Sequence, residues 1–248
     1  MQRFKDRVVL ITGAGSGLGR ETALLFAGEG ANVVVAEIRL RAGQETVDMI
    51  RSEGGEATVV LGDVSKSADA KRIIQSAAES YGRLDVLVNN VGVQVSKPVP
   101  DTSEEEWDFV IDTTLKSAFL CSKYAIGQMR EQGGGNIICI SSLSGLVANP
   151  NQASYNAAKH GVIGLTRCMA QDHAGDNIRV NVVCPGSMNT PMVADIAPEV
   201  LEPYKQLNFQ KRFAHPREVA HAVLFLASEE ASFMTGSVMA VDAGYTAR

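Results

Sequence analysis

Several features that define other classes of protein are missing from this sequence. No apolar run approaches the ~20 residues that a membrane-spanning helix requires, and the N-terminal residues lack the shape of a signal peptide. Basic residues do not outnumber acidic ones, and the formal net charge of −5 gives no electrostatic reason to bind nucleic acid. We therefore expect neither a membrane nor a nucleic acid as a partner.

Cysteine and histidine are also scarce, with four residues of each. No two cysteines form a C-x-x-C pair, no histidine lies at metal-ligand spacing to them, and there is no H-E-x-x-H motif. Each cysteine lies in an apolar segment, which predicts buried, reduced thiols in a cytoplasmic protein and no metal site. The cysteines are Cys121, Cys139, Cys168 and Cys184.

What the sequence does contain is a regular alternation of short apolar runs and helical patterns. Its 248 residues, 45% of them hydrophobic, fit one large α/β domain spanning 1–248. The runs are rich in Val and Ile and almost continuously apolar, as is typical of strands covered on both faces. The expected strands are Val8–Thr12, Val33–Ala36, Ala57–Leu61, Val86–Asn89, Asn136–Ile140, Arg179–Val183 and Ser237–Val241.

The segments between these runs predict helices. Thr102 and Ser103 precede Glu105 and Glu106, a capping-box signal for one helix. This helix is expected to carry both Trp107 and Phe119. Strand–helix alternation implies about seven parallel strands in a doubly wound sheet, with helices on both faces and ligands at the carboxyl ends of the strands. The other expected helices are Leu18–Phe26, Arg41–Ser52, Ala68–Tyr81, Ala153–Ala174 and 216–227.

A glycine loop directly follows the first strand. Residues 13–19 read G-A-G-S-G-L-G, so the spacing is G-x-x-x-G-x-G rather than G-x-G-x-x-G. Glycines permit a tight turn and a close backbone approach, and the N-terminus of the following helix stabilises a pyrophosphate. The loop predicts a dinucleotide site. A glycine-rich turn without a ligand is the alternative interpretation.

Glu37 at the end of the second strand suggests which dinucleotide is bound. It follows the loop at about the distance expected for an acid that binds a ribose diol, and a carboxylate there repels a 2′-phosphate. Ser16 and Ile38, two positions where a phosphate partner could lie, are not basic. We therefore expect NAD rather than NADP, although Arg39 and Arg41 lie just beyond.

Ser142, Tyr155 and Lys159 form the candidate catalytic group. Tyr155 and Lys159 are four residues apart on one predicted helix and so share a face, about 6 Å apart along its axis. A nearby ammonium favours the phenolate and lowers the tyrosine pKa from ~10. Ser142 follows a predicted strand and could hydrogen-bond a substrate oxygen. Tyr155 as a packing residue is the alternative.

These pieces, in this order, resemble a short-chain dehydrogenase/reductase over essentially the whole chain. The motifs that carry the resemblance are 12–19 (T-G-A-G-S-G-L-G), Asp63-Val64, 89–92 (N-N-V-G), Ser142, Tyr155 with Lys159, and Pro185-Gly186 with Thr190. The resemblance implies a Rossmann-like fold and a nicotinamide cofactor.

The resemblance also implies a role for each position. Tyr155 would be the general acid/base, Lys159 would bind the nicotinamide ribose, and Ser142 would orient the substrate oxygen. Asp63 and Val64 would border the adenine, Asn90 and Gly92 the adjoining ribose, and Pro185 to Thr190 the nicotinamide. The full implied cofactor set is Gly13, Ser16, Gly17, Leu18, Gly19, Glu37, Ile38, Asp63, Val64, Asn90, Gly92, Tyr155, Lys159, Pro185, Gly186, Met188 and Thr190.

Three positions depart from the family pattern. Thr114 replaces an Asn that helps to seat a water in a proton relay, so Thr114 is a further candidate catalytic residue whose relay is altered or slowed. Val91 replaces the usual Ala, and Ala243 replaces the first Gly of a V-D-G-G motif near the C-terminus.

The segment Met188–Phe213 resembles the flap that covers substrate in this family. Together with Val93, Leu143, Val147 and Gln152, its apolar residues suggest a mostly apolar pocket with few polar contacts. Core or interface packing explains these residues equally well. The apolar residues of the flap are Met188, Met192, Ile196, Leu201, Tyr204 and Phe209.

The sequence thus predicts an NAD-dependent oxidoreductase that interconverts a secondary alcohol and its ketone. An NADP-linked 3-oxoacyl-thioester reductase and a non-enzymatic dinucleotide sensor or scaffold remain alternatives. The resemblance implies a homotetramer, with which the apolar residues Phe119, Leu120 and Met129 are consistent.

Overall fold

The computed structural model describes residues 2–194 and 197–247, and its strands form one parallel sheet. Within these residues seven strands occur, in the order β3-β2-β1-β4-β5-β6-β7. The predicted doubly wound α/β fold is confirmed, with strand ends that differ from the predicted ones by at most two residues. The strands are β1 (Val8–Thr12), β2 (Asn32–Glu37), β3 (Glu56–Leu61), β4 (Val86–Asn89), β5 (Gly135–Ile140), β6 (Ile178–Pro185) and β7 (Val238–Val241).

The strand order reverses next to β1, which pairs with β2 on one side and with β4 on the other. The connections from β1 leave a crevice at the carboxyl ends of these strands, where ligands bind in sheets of this kind.

None of the helices in 2–194 and 197–247 is long and apolar enough to cross a membrane. The helices are α1 (Gly17–Gly28), α2 (Leu40–Ser52), α3 (Ser67–Tyr81), α4 (Glu104–Ile111), α5 (Ser117–Glu131), α6 (Ala153–His173), α7 (Pro191–Ala194), α8 (Pro198–Gln206) and α9 (Pro216–Ala227).

Burial on both faces of the sheet explains why the strands read as continuous apolar runs. Successive side chains of β1 point to opposite faces, so Leu10 joins one hydrophobic core and Ile11 joins the other. Both are fully buried, and burying such a side chain stabilises the fold by about 1.5–3 kcal/mol. The two cores hold the helices on either side and fix the crevice between them.

The helical segment that carries both Trp107 and Phe119 contains a π-helical turn that the sequence did not predict. The capping box at Ser103 and Glu106 is present, but α4 and α5 are separated by a π-helical turn, Asp112–Lys116. A π turn inserts an extra residue and rotates the helix faces that follow it. Periodicity in the sequence does not show this because the apolar pattern continues through the turn.

The three α5 residues suggested for a subunit interface are not all exposed. Leu120 and Met129 are buried in the core of their own chain, whereas Phe119 is 47% exposed. Only Phe119 of the three is therefore available to another subunit. Leu120 and Met129 face the core and Phe119 faces outward, and apolar character alone does not distinguish a core face from an exposed one.

One cysteine departs from the expectation of four buried thiols. Cys121, Cys139 and Cys184 are buried, but Cys168 is exposed. Its thiol donates to the carboxylate of Asp172, one turn further along α6, at 3.4 Å. The apolar residues around Cys168 in the sequence face inward, while the cysteine faces out.

Ala243 takes a backbone conformation that L-residues avoid. Its φ of 52° lies in the left-handed region, where an L-residue costs roughly 1–2 kcal/mol. Its carbonyl accepts a 2.8 Å hydrogen bond from the Phe209 amide, linking the C-terminal turn to the segment after α8. The strain is therefore held in place by tertiary contacts.

We expect Ala243→Gly to stabilise the protein by about 0.5–1 kcal/mol, because relief of the left-handed strain exceeds the ~0.4–1 kcal/mol that a new glycine gives to the unfolded chain. Urea unfolding measures the change. Ala148→Gly, in an exposed loop with negative φ, is the matched control and is expected to destabilise. Equal effects of the two substitutions would contradict the strain at Ala243.

Candidate active site

A cavity of about 600 Å³ opens at the carboxyl ends of the strands, beside β1 and β4. Of the catalytic and cofactor-binding residues named from the sequence, all but Gly19 and Thr114 line it. Among them are residues from the glycine loop, from the ends of β2 to β6, and from the start of α6. They are Gly13, Ser16, Gly17, Leu18, Glu37, Ile38, Asp63, Val64, Asn90, Gly92, Ser142, Tyr155, Lys159, Pro185, Gly186, Met188 and Thr190.

Two glycines of the loop lie where a side chain would be strained or would clash. Gly17 has φ +53°, in the left-handed region. A Cβ at Gly19 would lie 2.3 Å from the Gly13 carbonyl oxygen and 2.7 Å from the Asn90 amide nitrogen. Gly19 is therefore behind the loop rather than in the cavity wall. It allows α1 to begin directly against the loop, with its free amides directed at the cavity.

Glu37 is buried in the cavity wall at the end of β2. One carboxylate oxygen accepts from the Gly15 amide at 2.9 Å, and the other accepts from the amides of Ile38 and Arg39 at 3.1 and 3.3 Å. The Arg39 guanidinium lies 3.6 Å away. A carboxylate has about four acceptor positions, so Glu37 retains acceptor capacity after three backbone contacts.

Asn90 and Asp63 line the cavity, and both side chains also form hydrogen bonds with neighbouring residues of the protein. The Asn90 amide group donates to the Thr12 carbonyl oxygen at 2.9 Å, tying the end of β4 to the end of β1. The Asp63 carboxylate accepts from the amide and the hydroxyl of Ser65 at 2.9 and 2.7 Å. Both side chains therefore stabilise the cavity rim through bonds within the protein.

The segment after β6 faces the glycine loop across the cavity. A Cβ at Gly186 would lie 2.8 Å from the Cα of Asp242, so β6 and the end of β7 pack backbone to backbone there. Thr190 lies opposite Gly17, with its methyl group 3.4 Å from that glycine's Cβ position. Met188 forms an isolated bridge with Ala214. These contacts place the segment after β6 next to the glycine loop.

Ser142, Tyr155 and Lys159 meet in the cavity wall as predicted from their spacing. Tyr155 and Lys159 lie on the first turns of α6, with the ammonium 5.6 Å from the Tyr155 ring centroid. Ser142 follows β5 and accepts from the Ser144 amide at 3.1 Å. The Lys159 ammonium donates to the Ile140 carbonyl oxygen at 2.8 Å, which fixes its long side chain toward the strand end.

The pKa of the tyrosine is not lowered by the lysine in the way that the sequence suggested. Burial raises the pKa of Tyr155, and the Ser142 hydroxyl only partly opposes this. Burial also lowers the pKa of Lys159 to about 8, so the ammonium that was expected to act on the phenol is lost at a lower pH than that of a free lysine. Among the protein's own groups, desolvation is therefore the largest effect, and Tyr155 is a proton donor at neutral pH.

Thr114 lies behind the cavity, on the π-helical turn, and is buried. Its hydroxyl accepts from the Val93 amide at 3.1 Å and donates to the Val93 carbonyl oxygen at 3.4 Å. A Cβ at Gly92 would lie 3.6 Å from the Thr114 methyl and 2.9 Å from the Lys159 ammonium nitrogen. Thr114 is thus close to Lys159, but its hydroxyl is already bonded to the loop after β4.

The cavity also contains residues that sequence reasoning missed, while it leaves out some that were named. Val93, Leu143, Gln152 and Tyr204 line it as expected, but Val147, Leu201 and Phe209 do not. Ile196 lies outside the described residues. No motif marks the additional residues, because they come from separate parts of the chain: Phe109, Thr113, Ser144, Asn149, Val193 and Tyr245.

The cavity fits a dinucleotide in shape and in chemistry. The loop lacks Cβ atoms where the backbone approaches closely, the amides at the start of α1 suit a pyrophosphate, and Glu37 suits a ribose diol. A titratable phenol, an ammonium and a hydroxyl converge further along the same cavity. This combination defines the class of nicotinamide-dinucleotide-dependent oxidoreductases.

The chain belongs to the short-chain dehydrogenase/reductase family. A family model described as enoyl-(acyl carrier protein) reductase matches residues 13–246. A cyclopentanol dehydrogenase from Comamonas sp. (strain NCIMB 9872) is 41% identical, over 100% of both chains. A 3-oxoacyl-(acyl-carrier-protein) reductase from Thermotoga maritima is 39% identical, over 98% of both chains. The crystal structure of levodione reductase superposes with a TM-score of 0.96 at 35% identity, over 99% of both chains.

Proposed function

We propose that this protein is an NAD-dependent dehydrogenase that interconverts a secondary alcohol, in particular a cyclic one, and its ketone. The observation that carries the proposal is the convergence of Ser142, Tyr155 and Lys159 in one cavity with the glycine loop and Glu37. The mostly apolar wall suits a hydrocarbon ring, and similarity to a cyclopentanol dehydrogenase supports a cyclic alcohol.

The chemistry divides among three side chains. Bound nicotinamide supplies the hydride acceptor for the alcohol, or the hydride donor for the ketone. Tyr155 gives its phenolic proton to the carbonyl oxygen during reduction and takes the hydroxyl proton during oxidation. Ser142 hydrogen-bonds the same oxygen and holds the reacting carbon in position. Lys159, fixed by the Ile140 carbonyl, binds the cofactor's ribose.

The other cavity residues would hold the cofactor. Glu37 would accept from the adenosine ribose and repel a 2′-phosphate, which favours NAD. Asp63 and Val64 would border the adenine. Thr114 would contribute to a proton relay through its backbone carbonyl, since its hydroxyl is bonded to Val93.

We further propose that the whole chain, 1–248, is one catalytic domain that acts as a homotetramer in the cytoplasm. Large exposed aromatic side chains, which suit subunit contacts, support the assembly. Trp107 is 42% exposed, Phe119 47% and Phe233 fully exposed.

Fluorescence titration with NADH and NADPH, followed by a panel of secondary alcohols with the preferred oxidised cofactor, tests the function. We expect NADH to bind at least tenfold more tightly, because a buried carboxylate beside a 2′-phosphate costs more than ~1.4 kcal/mol. We also expect cyclic alcohols to be oxidised.

Two results would contradict the proposal. A preference for NADPH with reduction of 3-oxoacyl thioesters would identify the NADP-linked reductase, for which Arg39 beside Glu37 would be the phosphate partner. Tight binding of either cofactor without turnover of any alcohol or ketone would indicate the non-enzymatic sensor or scaffold.

A further inference from the structure

A directional series of hydrogen bonds runs along the cavity wall and ends at Gln152. The Tyr245 hydroxyl donates to the Asn149 side-chain oxygen at 3.1 Å, and the Asn149 amide group donates to the Ser144 hydroxyl at 2.9 Å. Ser144 then donates to the Gln152 side-chain oxygen at 3.3 Å. Each donor fixes the next acceptor, so the series orients the Gln152 amide group.

The end of this series is a free donor in the cavity wall. Because the Gln152 oxygen accepts from Ser144, its NH₂ group points away from that bond. Within 2–194 and 197–247 that nitrogen has no hydrogen-bond partner, and it is not among the buried unpaired atoms. Gln152 lines the cavity together with Tyr155, so its unpaired NH₂ group is available to a molecule bound there.

The backbone around Gln152 is held as firmly as the side chain. The Gln152 carbonyl accepts from the Asn156 amide at 2.7 Å, and Gln152 bridges to Lys97 on the opposite loop. The Asn156 side chain donates to the Asn149 carbonyl oxygen at 2.9 Å. The donor therefore stays in place before substrate arrives, which lowers the entropic cost of binding.

The position of Gln152 sets the distance to the reacting oxygen. Gln152 is the N-cap residue of α6 and lies three residues before Tyr155, so both belong to the start of the same helix; within a helix this spacing corresponds to about 5–6 Å between Cβ atoms. Oxygens on opposite corners of a six-membered carbon ring are roughly 5 Å apart from ordinary bond lengths. A ring with its reacting oxygen at Tyr155 thus brings a second oxygen to Gln152.

Charge around the cavity indicates that this second group is neutral. Among the described lining residues the only basic ones are Arg39, beside Glu37, and Lys159. The same cavity is also lined by the apolar Leu143 and Val93. Lys97, which bridges to Gln152, already pairs its ammonium with Glu106. A carboxylate there would be desolvated without an unpaired cation, whereas a ketone or hydroxyl needs one neutral donor.

We propose that Gln152 is a specificity-determining residue that donates a hydrogen bond to a second, neutral oxygen of a cyclic substrate. The substrate class is a six-membered ring ketone or alcohol with a further ketone or hydroxyl across the ring. This inference rests on the proposed dehydrogenase function and names the substrate class of that same site.

Reduction of cyclohexane-1,4-dione and of cyclohexanone, measured as kcat/KM with the preferred reduced cofactor, tests the inference. Gln152→Leu keeps the size of the side chain and removes the donor. We expect it to lower the ratio of dione to monoketone kcat/KM by about five- to tenfold, the usual effect of one lost neutral hydrogen bond. Taking the ratio between variants cancels the greater intrinsic reactivity of the dione.

Two further variants make the test specific. Gln152→Glu is nearly isosteric but cannot donate when ionised, and we expect it to lower the ratio at least as much as Gln152→Leu. Gln94 also lines the cavity, but its amide nitrogen already donates to Ser96 at 2.9 Å. Gln94→Leu is the matched control, and we expect the ratio to stay within about twofold of wild type.

Each other outcome has a defined meaning. Turnover of cyclohexanone with an unchanged ratio in both Gln152 variants would overturn the inference and leave the dehydrogenase function standing. An equal change in Gln94→Leu would also overturn it, as would a wild-type preference for 4-oxocyclohexanecarboxylate over the dione. No reduction of any ketone by wild type would overturn the proposed function and the inference with it.

Discussion

Tyr155→Phe is expected to lower kcat for alcohol oxidation by about 10²–10⁴-fold, the usual contribution of a positioned general acid/base. The substitution removes only the hydroxyl, at the one point in the cavity where a phenol lies beside Ser142 and Lys159. Because the ring remains, we expect the dissociation constant for NADH to change by less than about threefold. Steady-state kinetics and fluorescence titration measure the two quantities separately.

The pH profile distinguishes loss of proton transfer from loss of packing. Burial raises the pKa of Tyr155, so oxidation, which requires the phenolate, should speed up with rising pH in wild type, and this rise should disappear in Tyr155→Phe. Tyr124→Phe, whose hydroxyl is bonded to Ser67 outside the cavity, is the matched control with full activity. A Tyr155→Phe enzyme within about tenfold of wild type would show that another group transfers the proton.

Glu37→Ala is expected to weaken NADH binding by about 10–100-fold, the range for hydrogen bonds to a charged group. It also removes the carboxylate that would repel a 2′-phosphate, so we expect NADPH to bind as well as or better than to wild type. The structural basis is a buried carboxylate at the end of β2 with acceptor capacity left after its three backbone contacts. Parallel titrations with both reduced cofactors measure the change.

Comparison of the NADH and NADPH affinities shows whether Glu37 recognises the ribose of the cofactor or only supports the glycine loop. Glu37 also holds the Gly15 amide, and a disordered loop would weaken both cofactors equally. Asp48→Ala removes the same charge from an exposed position on α2 and should change neither affinity. Unchanged NADH binding in Glu37→Ala would remove the main support for NAD, and equal losses would reduce Glu37 to a positioning residue for the loop.

The features that the sequence predicted correctly depend on residues close together in the chain, whereas the features that it missed depend on packing between distant segments. The glycine loop, the strand that precedes it and the Tyr155–Lys159 pair depend on neighbours within a few residues, so spacing alone predicted them. The π-helical turn at Asp112–Lys116 and the outward direction of Cys168 were missed. In both places, packing against distant elements decides between conformations that fit the local pattern equally well.

Electrostatics at the candidate site shows the same division. The i, i+4 spacing correctly places Lys159 beside Tyr155 but carries no information on burial. Once both are packed at the strand ends, desolvation raises the pKa of Tyr155 and lowers that of Lys159 to about 8. The sequence therefore predicted which groups meet, while the direction of each pKa shift depends on how deeply the fold buries them.

By itself, the sequence determined the doubly wound sheet, the loop at the end of β1 and the three side chains proposed for catalysis. It did so because apolar period, glycine spacing and helical register are local properties of the chain. Only the tertiary structure decided the part of the cavity wall where Tyr245, Asn149 and Ser144 orient Gln152. These residues carry no shared motif, because their relation exists only after the sheet and its two cores bring distant segments together.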